Sequence, residues 1–337
     1  MSDLRIAVLG VGMMGADHVA RITSRISGAQ VTVVNDYLPE KAAEVAAAVP
    51  GARVTNDPLD AIAADDVDAI LLATPGPTHE KQLLACLEHG KPVLCEKPLT
   101  TDSTSSLEVV RQEAALGTPL IQVGFMRRFD PEYQQLKALI DGGELGQPLV
   151  MHCAHRNPTV PPGFDSAMVI KDSLVHEVDV TRFLLGEEIA SVQIIKPMSN
   201  RDAPRGLQDP QIAIFQTVSG RHVDVEVFVT TGVAYEVRTE VVGELGSATI
   251  GLDIGLVRKS APGTWGGRIT PGFRERFGTA YDIEIQRWVD AVRSGVNVDG
   301  PTAWDGYAAA AVCEAGVRSL ETGERVDVEL AERVGTR

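Results

Sequence analysis

Short apolar runs alternate with helical patterns along the first third of the chain. The runs Arg5–Leu9, Gln30–Asn35 and Ala69–Ala73 read as strands, and each precedes a stretch whose apolar positions recur at helical spacing. The run Ala69–Ala73 is apolar throughout, which is typical of a strand covered on both faces. Strands that alternate with helices in this way predict a parallel, doubly wound sheet with right-handed crossovers.

The pattern changes after residue 125. Asp172–Leu185 has the spacing of a helix, whereas the strand-like runs Ser191–Ile195, Gln211–Thr217 and His222–Val229 follow one another without a helix between them. The sequence therefore predicts an α/β chain with two domains. Residues 1–124 are expected to form the doubly wound sheet, and residues 125–337 an α+β domain with an open, mostly antiparallel sheet, whose C-terminal helix can pack back on the first domain.

Composition restricts the possible partners. The 337 residues carry a formal net charge of −15, and such a surface repels nucleic acid and anionic membranes, so neither is expected to bind. The N-terminus lacks a signal-peptide pattern, and no apolar stretch approaches the roughly 20 residues that span a bilayer. The four cysteines have no CxxC spacing, so we expect reduced, buried thiols and a cytoplasmic protein.

A glycine-rich turn, Gly10-Val11-Gly12-Met13-Met14-Gly15, follows the first predicted strand and opens the first predicted helix. The G-x-G-x-x-G pattern permits a tight turn, a close approach of the backbone to a pyrophosphate and close packing of helix on strand. The helix N-terminus then offers free N–H groups to the phosphates. Asp36 ends the second strand, where a carboxylate accepts hydrogen bonds from ribose hydroxyls and repels the 2′-phosphate of NADP.

This motif in this position predicts a Rossmann domain that binds NAD. The predicted cofactor-binding residues are Gly10, Gly12, Met13, Met14, Gly15, Asp36, Thr74, Pro75, His79, Glu96 and Lys97.

Three residues, among them Lys97, are candidates for catalysis. Lys97 follows an apolar strand, so its ammonium is expected at the carboxyl edge of the sheet, where it can stabilise a developing alkoxide. Asp172 and His176 are four residues apart and are expected on one face of a helix that begins near Asp172, at its N-cap. An imidazole that a carboxylate orients is suited to accept a hydroxyl proton at neutral pH.

A pair of histidines, His152 and His155, could be taken for metal ligands. On a strand, however, residues three apart point to opposite faces. No third ligand stands at a useful spacing, so no metal site is expected.

With these motifs, the chain resembles the glucose–fructose oxidoreductase/inositol dehydrogenase family over nearly its whole length. The resemblance rests on the glycine turn, on Glu96-Lys97-Pro98 and on Asp172-x-x-x-His176. The stretches Gly124–Asp130 and Asp172–Asp179 are most similar to the bacterial myo-inositol 2-dehydrogenases of that family. The resemblance implies an NAD-dependent enzyme that oxidises myo-inositol to 2-keto-myo-inositol (scyllo-inosose), with NAD as the cofactor and a homotetramer as the assembly.

The resemblance also implies the site residues. The implied catalytic residues are Lys97, Asp172 and His176, and the implied substrate-binding residues are Lys97, Met126, Arg127, His155, Asn157, Asp172, His176, Asp179 and Tyr235. Two alternative functions remain open. One is the same chemistry on scyllo-inositol or on an aldose such as glucose, and the other is a non-catalytic NAD-binding sensor.

Overall fold

A computed structural model describes residues 2–232, 235–251, 258–260, 263–265 and 270–333. It divides into two compact units. The first comprises Met1–Met126, Tyr281–Ala310 and Leu330–Arg337, and the second comprises Arg127–Ala280 and Ala311–Glu329. The sequence prediction ends the first domain at residue 124 and lets a C-terminal helix pack back on it. The first unit of the structure includes the two later segments, Tyr281–Ala310 and Leu330–Arg337.

The first unit is built around a six-stranded parallel sheet of β1 (Leu4–Leu9), β2 (Ala29–Asn35), β3 (Arg53–Thr55), β4 (Ala69–Leu72), β5 (Val93–Glu96) and β6 (Ile121–Gly124). The strands lie in the order β3-β2-β1-β4-β5-β6. The helices up to residue 124 are α1 (Met13–Ser24), α2 (Pro39–Ala47), α3 (Pro58–Ala63), α4 (His79–Glu88) and α5 (Ser103–Leu116). The strand order reverses between β1 and β4, which is where such sheets bind ligands at their carboxyl ends. The predicted doubly wound sheet is confirmed.

A helix from late in the chain completes the core of this unit. Ile285, Trp288 and Val289 are 0% exposed and pack in one cluster with residues of β1 and β2, such as Ile6 and Val34. They lie on α10 (Gly278–Ser294), which follows the short helix α9 (Phe273–Arg276) and precedes α11 (Ala303–Thr322). This burial of a tryptophan and two branched aliphatic side chains explains why the segment belongs to the first unit.

The second unit contains a seven-stranded sheet with the order β12-β11-β7-β10-β9-β8-β15. Its strands are β7 (Pro148–Arg156), β8 (Ile189–Ile195), β9 (Gln211–Thr217), β10 (His222–Phe228), β11 (Glu236–Gly243), β12 (Gly246–Ile250) and β15 (Val326–Asp327), beside a hairpin of β13 (Arg258–Ser260) and β14 (Gly263–Trp265) and the helix α6 (Pro131–Asp141). All neighbours pair antiparallel except β7 and β10, which pair parallel. The expected open, mostly antiparallel sheet is confirmed.

Alternation along β7 and β10 separates two faces of this sheet. His155 is 3% exposed, whereas His152 is exposed and its Nδ1 lies 2.6 Å from Asp224 Oδ2 on β10. The opposite orientation of these two histidines is as predicted. The alternate positions Val223 and Val225 are 0% exposed in the core of the unit itself. The alternating valines of β10 are therefore buried within the chain, and Asp224 lies on the other face of the sheet.

The helix that carries the candidate proton acceptor differs from expectation. It begins at α7 (Ser166–Met168), where the Asp165 carboxylate accepts a hydrogen bond from the Met168 N–H, and it continues through the π-helical segment Val169–Leu174 into α8 (Val175–Leu185). Asp172 is therefore an interior residue of a longer helix, and the prediction that it stands at the N-cap is wrong. Within the described ranges, no helix is long and apolar enough to cross a membrane.

Candidate active site

The three glycines of the turn after β1 differ in what surrounds the position of a Cβ atom. Gly10 has φ +81°, and a Cβ there would lie 2.6 Å from the Ala73 carbonyl oxygen. A Cβ on Gly15 would lie 1.8 Å from the Gly10 oxygen, so this glycine lets α1 pack closely on the turn. A Cβ on Gly12 would meet no described atom within 4 Å. The turn thus leaves open space beside Gly12 at the helix N-terminus, as a bound pyrophosphate requires.

Asp36 lies at the carboxyl end of β2, beside the same turn. Its Oδ2 accepts a hydrogen bond from the Val11 N–H at 2.8 Å, and its Oδ1 accepts one from the Leu38 N–H at 3.0 Å. These bonds hold a partly exposed carboxylate at the end of the turn. A carboxylate with remaining acceptor capacity at this place fits the ribose of NAD and disfavours the extra phosphate of NADP.

The predicted site residues that follow β4 and β5 lie at the carboxyl edge of the sheet. The two strands are parallel neighbours in which Leu72 pairs with Cys95, so Thr74 and Lys97 both follow carboxyl ends of adjacent strands. Lys97 is partly buried, and Pro75 is exposed. The Thr74 hydroxyl donates to Gln82 Oε1 at 2.6 Å, which fixes the start of α4 against this edge.

Two other predicted cofactor-binding side chains have polar contacts within the first unit. His79 is 1% exposed, with Nδ1 2.7 Å from the Pro98 oxygen and Nε2 2.8 Å from the Thr74 oxygen. Glu96 Oε1 lies 2.7 Å from His18 Nε2. Both ring nitrogens of His79 therefore have partners within this unit, and one of the two carboxylate oxygens of Glu96 does. Met13 and Met14 begin α1, and Met126 is 2% exposed in the 3₁₀ turn Met126–Phe129.

In the second unit, Arg127 and Glu177 form a buried ion pair, and His155 joins it. His155 Nδ1 lies 3.0 Å from Glu177 Oε2 and 3.3 Å from Arg127 Nη2. Burial alone would raise the pKa of Glu177, but the charge of Arg127 and the contact with His155 outweigh it and hold that pKa below its usual value. Glu177 is therefore a carboxylate that organises two of the predicted substrate-binding residues.

Tyr235 packs on this cluster. Its ring centroid lies 5.8 Å from that of His155, edge to face, and it is 5% exposed. Burial raises the pKa of the Tyr235 hydroxyl, so it remains a neutral donor and acceptor. The ring of His176 lies 6.3 Å from that of His155, which brings the candidate proton acceptor to the same cluster.

Asn157 and Asp179 complete the predicted set in this unit. Asn157 directly follows β7, and its Oδ1 is buried without a hydrogen-bond partner among the described residues, so it has acceptor capacity for a ligand. The Asp179 carboxylate is 1% exposed and accepts a bidentate pair of bonds from Arg128, at 3.0 Å from Nε and 2.6 Å from Nη2. Arg128 thus fixes the orientation of the Asp179 carboxylate, which keeps acceptor capacity for a further hydrogen bond and stays a predicted substrate-binding residue.

Asp172 lies within the π-helical segment and is exposed, whereas His176 is 8% exposed in the first turn of α8. Residues four apart stack on one face of a regular α-helix. The interval from Asp172 to His176 crosses the end of a π-helical turn, so the spacing alone does not align these two side chains.

Sequence reasoning gave no role to three residues that contact the predicted site. Glu177 holds Arg127 and His155, Arg128 binds Asp179, and His18 binds Glu96. Their partners are 22 to 78 positions away along the chain. The one local signal is the position of Glu177 and Arg128 beside residues already singled out.

Known proteins resemble this chain over its whole length. A model of an oxidoreductase family with an NAD-binding Rossmann fold, GFO_IDH_MocA, matches residues 4–125, and the model of that family's C-terminal alpha/beta domain matches residues 137–328. An inositol 2-dehydrogenase of Mycolicibacterium vanbaalenii is 77% identical over 99% of this chain and 97% of its own length. An inositol 2-dehydrogenase of Rhodococcus erythropolis is 75% identical over 98% of this chain and 97% of its own.

Among solved structures, the crystal structure of myo-inositol dehydrogenase from Lactobacillus casei in complex with NAD(H) and myo-inositol superposes with a TM-score of 0.93. Its sequence is 34% identical, and the match covers 99% of this chain and 98% of that one. Because the two family models and these relatives together span both units, the chain belongs to the GFO_IDH_MocA oxidoreductase family, which confirms the family indicated by its motifs.

Proposed function

We propose that this chain is an NAD-dependent inositol 2-dehydrogenase that converts myo-inositol and NAD⁺ into 2-keto-myo-inositol, NADH and H⁺. The observation that carries the proposal is the identity of 77% over 99% of the chain with an inositol 2-dehydrogenase. The similarity to a myo-inositol dehydrogenase crystallised with NAD(H) and myo-inositol supports it. The open space at Gly12 and the carboxylate of Asp36 fit a bound NAD.

The chain's own residues handle the proton and the oxygen. His176 accepts the proton of the reacting hydroxyl, and Asp172 helps to orient the imidazole and favours its charged form. The Lys97 ammonium donates a hydrogen bond to the same oxygen and stabilises the negative charge that develops on it. Bound NAD⁺ would supply the acceptor for the hydride of the carbinol carbon, so that the substrate loses one hydride, which gives NADH, and one proton.

The remaining hydroxyls of a cyclic polyol need donors and acceptors and no countercharge. The Arg127–Glu177–His155 cluster, Asn157 Oδ1 and Tyr235 provide both kinds of group on rigid, buried supports. Because the charges of Arg127 and Glu177 compensate each other, the cluster presents hydrogen-bonding capacity with little net field. This chemistry suits a neutral hexol better than an anionic sugar phosphate.

Assembly and location follow the same proposal. We infer a homotetramer, as the family resemblance implies. Sedimentation equilibrium should then give the molar mass of four 36.0 kDa chains. The four cysteines are all free and buried, which fits a reducing cytoplasm.

Steady-state assays of Lys97→Ala and His176→Ala test the catalytic roles. Each variant should lose turnover by at least about 100-fold while NADH binding is largely kept. Lys81→Ala and His222→Ala, at exposed positions of the same two units, are matched controls and should behave as the wild type. Near-normal turnover of either Lys97→Ala or His176→Ala would contradict the assigned role.

Substrate choice is tested by initial rates with NAD⁺ or NADP⁺ on myo-inositol, scyllo-inositol and glucose. We expect the largest kcat/KM with myo-inositol and NAD⁺. A higher value with another polyol would replace the substrate, and NADH binding without any polyol-dependent reduction of NAD⁺ would indicate a sensor.

A further inference from the structure

The segment Glu96-Lys97-Pro98 is held by a buried imidazole on its N-terminal side. His18, on α1, is 1% exposed, and its Nε2 lies 2.7 Å from Glu96 Oε1. An ionised carboxylate can only accept, so Nε2 carries the proton of this bond. A Cβ on Gly124 of β6 would lie 3.2 Å from Glu96 Oε2, so the carboxylate is enclosed from that strand as well.

A second buried imidazole holds the other side of the segment. His79 Nδ1 lies 2.7 Å from the Pro98 oxygen, and Nε2 lies 2.8 Å from the Thr74 oxygen. A carbonyl oxygen can only accept, so a ring nitrogen that carries a proton donates in either contact. The imidazole of His79 thus lies within hydrogen-bond distance of the backbone after β5 and of the backbone after β4, its parallel neighbour.

Lys97 is the residue between these two attachments. We propose that His18 and His79 are positioning residues that hold the Glu96 side chain and the Pro98 backbone, one on each side of Lys97, and so aim its ammonium at the reacting oxygen. The inference rests on the proposed role of Lys97. It assigns to His79 an indirect function, through Pro98, in place of direct contact with the cofactor. A displacement of about 1 Å at a reacting group can cost on the order of 100-fold in rate, so two hydrogen bonds suffice to matter.

Amide side chains can separate the individual bonds. A glutamine places its amide nitrogen near the position of a histidine Nε2, and an asparagine places it near Nδ1. His79→Asn therefore keeps the bond to Pro98, and His79→Gln keeps the bond to Thr74. His18→Gln keeps the bond to Glu96, and His18→Asn loses it. His89→Asn and His89→Gln, at an exposed position just after α4, are the matched controls.

We expect His79→Gln and His18→Asn to lower kcat by about 10- to 100-fold, with the dissociation constant of NADH changed by less than about threefold. The partners His79→Asn and His18→Gln should retain at least about five times the kcat of the variants that lose the bond. Both His89 variants should match the wild type. Equal losses in the two members of a pair would overturn the positioning role, as would a wild-type kcat in His79→Gln and His18→Asn.

A double-mutant cycle gives a readout that a purely structural role would not produce. In a Lys97→Ala background, His79→Gln should cause no further loss of kcat, because the lost bond acts through Lys97. Losses that multiply would show that His79 acts independently and would overturn the inference. Normal turnover of Lys97→Ala itself would instead overturn the proposed function, so the two failures are distinguishable.

Discussion

The guanidinium of Arg127 and the carboxylate of Glu177 form an ion pair in which each side chain is 1% exposed. Two opposite charges in such a position stabilise the fold only while both are present, because either one alone would be buried without compensation. The same carboxylate also contacts His155, so it supports the candidate polyol-binding cluster as well as the core of the second unit.

Glu177→Ala is expected to reduce the free energy of unfolding by about 3–5 kcal/mol, since it leaves Arg127 buried without its partner. Urea unfolding followed by circular dichroism measures the loss. Asp66→Asn is the control, because it breaks the pair with Arg53 in which the side chains are 44% and 51% exposed, and it should cost at most about 1 kcal/mol. Equal losses in the two variants would contradict the prediction.

Acid should weaken the same pair. The pKa of Glu177 lies below its usual value of 4.5 in the folded chain, despite the opposing effect of burial, because of Arg127 and His155. A carboxyl with a lowered folded pKa stabilises the fold above its unfolded pKa, and this contribution is lost as the pH falls through the folded value.

The free energy of unfolding of the wild type should therefore decrease as the pH falls below about 4.5. Glu177→Gln cannot titrate, so its profile should be shallower by up to about 1.4 kcal/mol per pH unit in that range. Unfolding at a series of pH values between about 6 and 3 provides the comparison. Parallel profiles would show that Glu177 does not contribute to the acid response.

The glycines of the first turn should separate binding from stability. Gly12→Ala adds a Cβ that meets no described atom within 4 Å, at a φ of −62° that any residue adopts. It should leave the melting temperature within about 1 °C and weaken NADH binding by at least about tenfold. Gly15→Ala would place a Cβ 1.8 Å from the Gly10 oxygen and should cost about 1–3 kcal/mol of stability.

Fluorescence titration with NADH and differential scanning calorimetry measure the two effects. If Gly12→Ala binds NADH as the wild type does, the open space beside this residue is not the pyrophosphate site.

Asp36 should determine the choice between NAD⁺ and NADP⁺. Asp36→Ala removes the charge that repels a 2′-phosphate, together with the acceptor for the ribose hydroxyls. The ratio of kcat/KM with NAD⁺ to that with NADP⁺ should fall by at least about tenfold. Asp57→Ala, which removes the carboxylate that caps α3, is a control for a general effect of losing an acid in this unit and should keep the ratio. An unchanged ratio in Asp36→Ala would place discrimination elsewhere.

The parts of the molecule that depend on local periodicity could be predicted from the sequence. The alternation of β7 predicts that His152 and His155 point to opposite faces, and the exposed His152 and buried His155 confirm it. The glycine spacing predicts a turn between β1 and α1, and the close contacts at Gly10 and Gly15 give its physical reason.

Features that depend on distant contacts could not be read in the same way. The pairing of Arg127 with Glu177 joins residues 50 positions apart, so no local pattern marks it. The return of Trp288 to the core of the first unit depends on packing against strands at the start of the chain. The true start of the long helix at Ser166 is preceded by the cap Asp165, but a π-helical segment follows and disturbs the regular spacing on which the prediction relied.

The π-helical segment Val169–Leu174 affects the direction of the Asp172 side chain around the helix axis. Each residue of an α-helix advances the side-chain direction by about 100° around the axis, and a π-helical turn accommodates one extra residue. The azimuth of Asp172 relative to His176 is therefore set by that extra residue. Shortening the segment by one position would rotate everything before it by roughly that angle, and the acid would face a different side of the helix while the imidazole stayed in place.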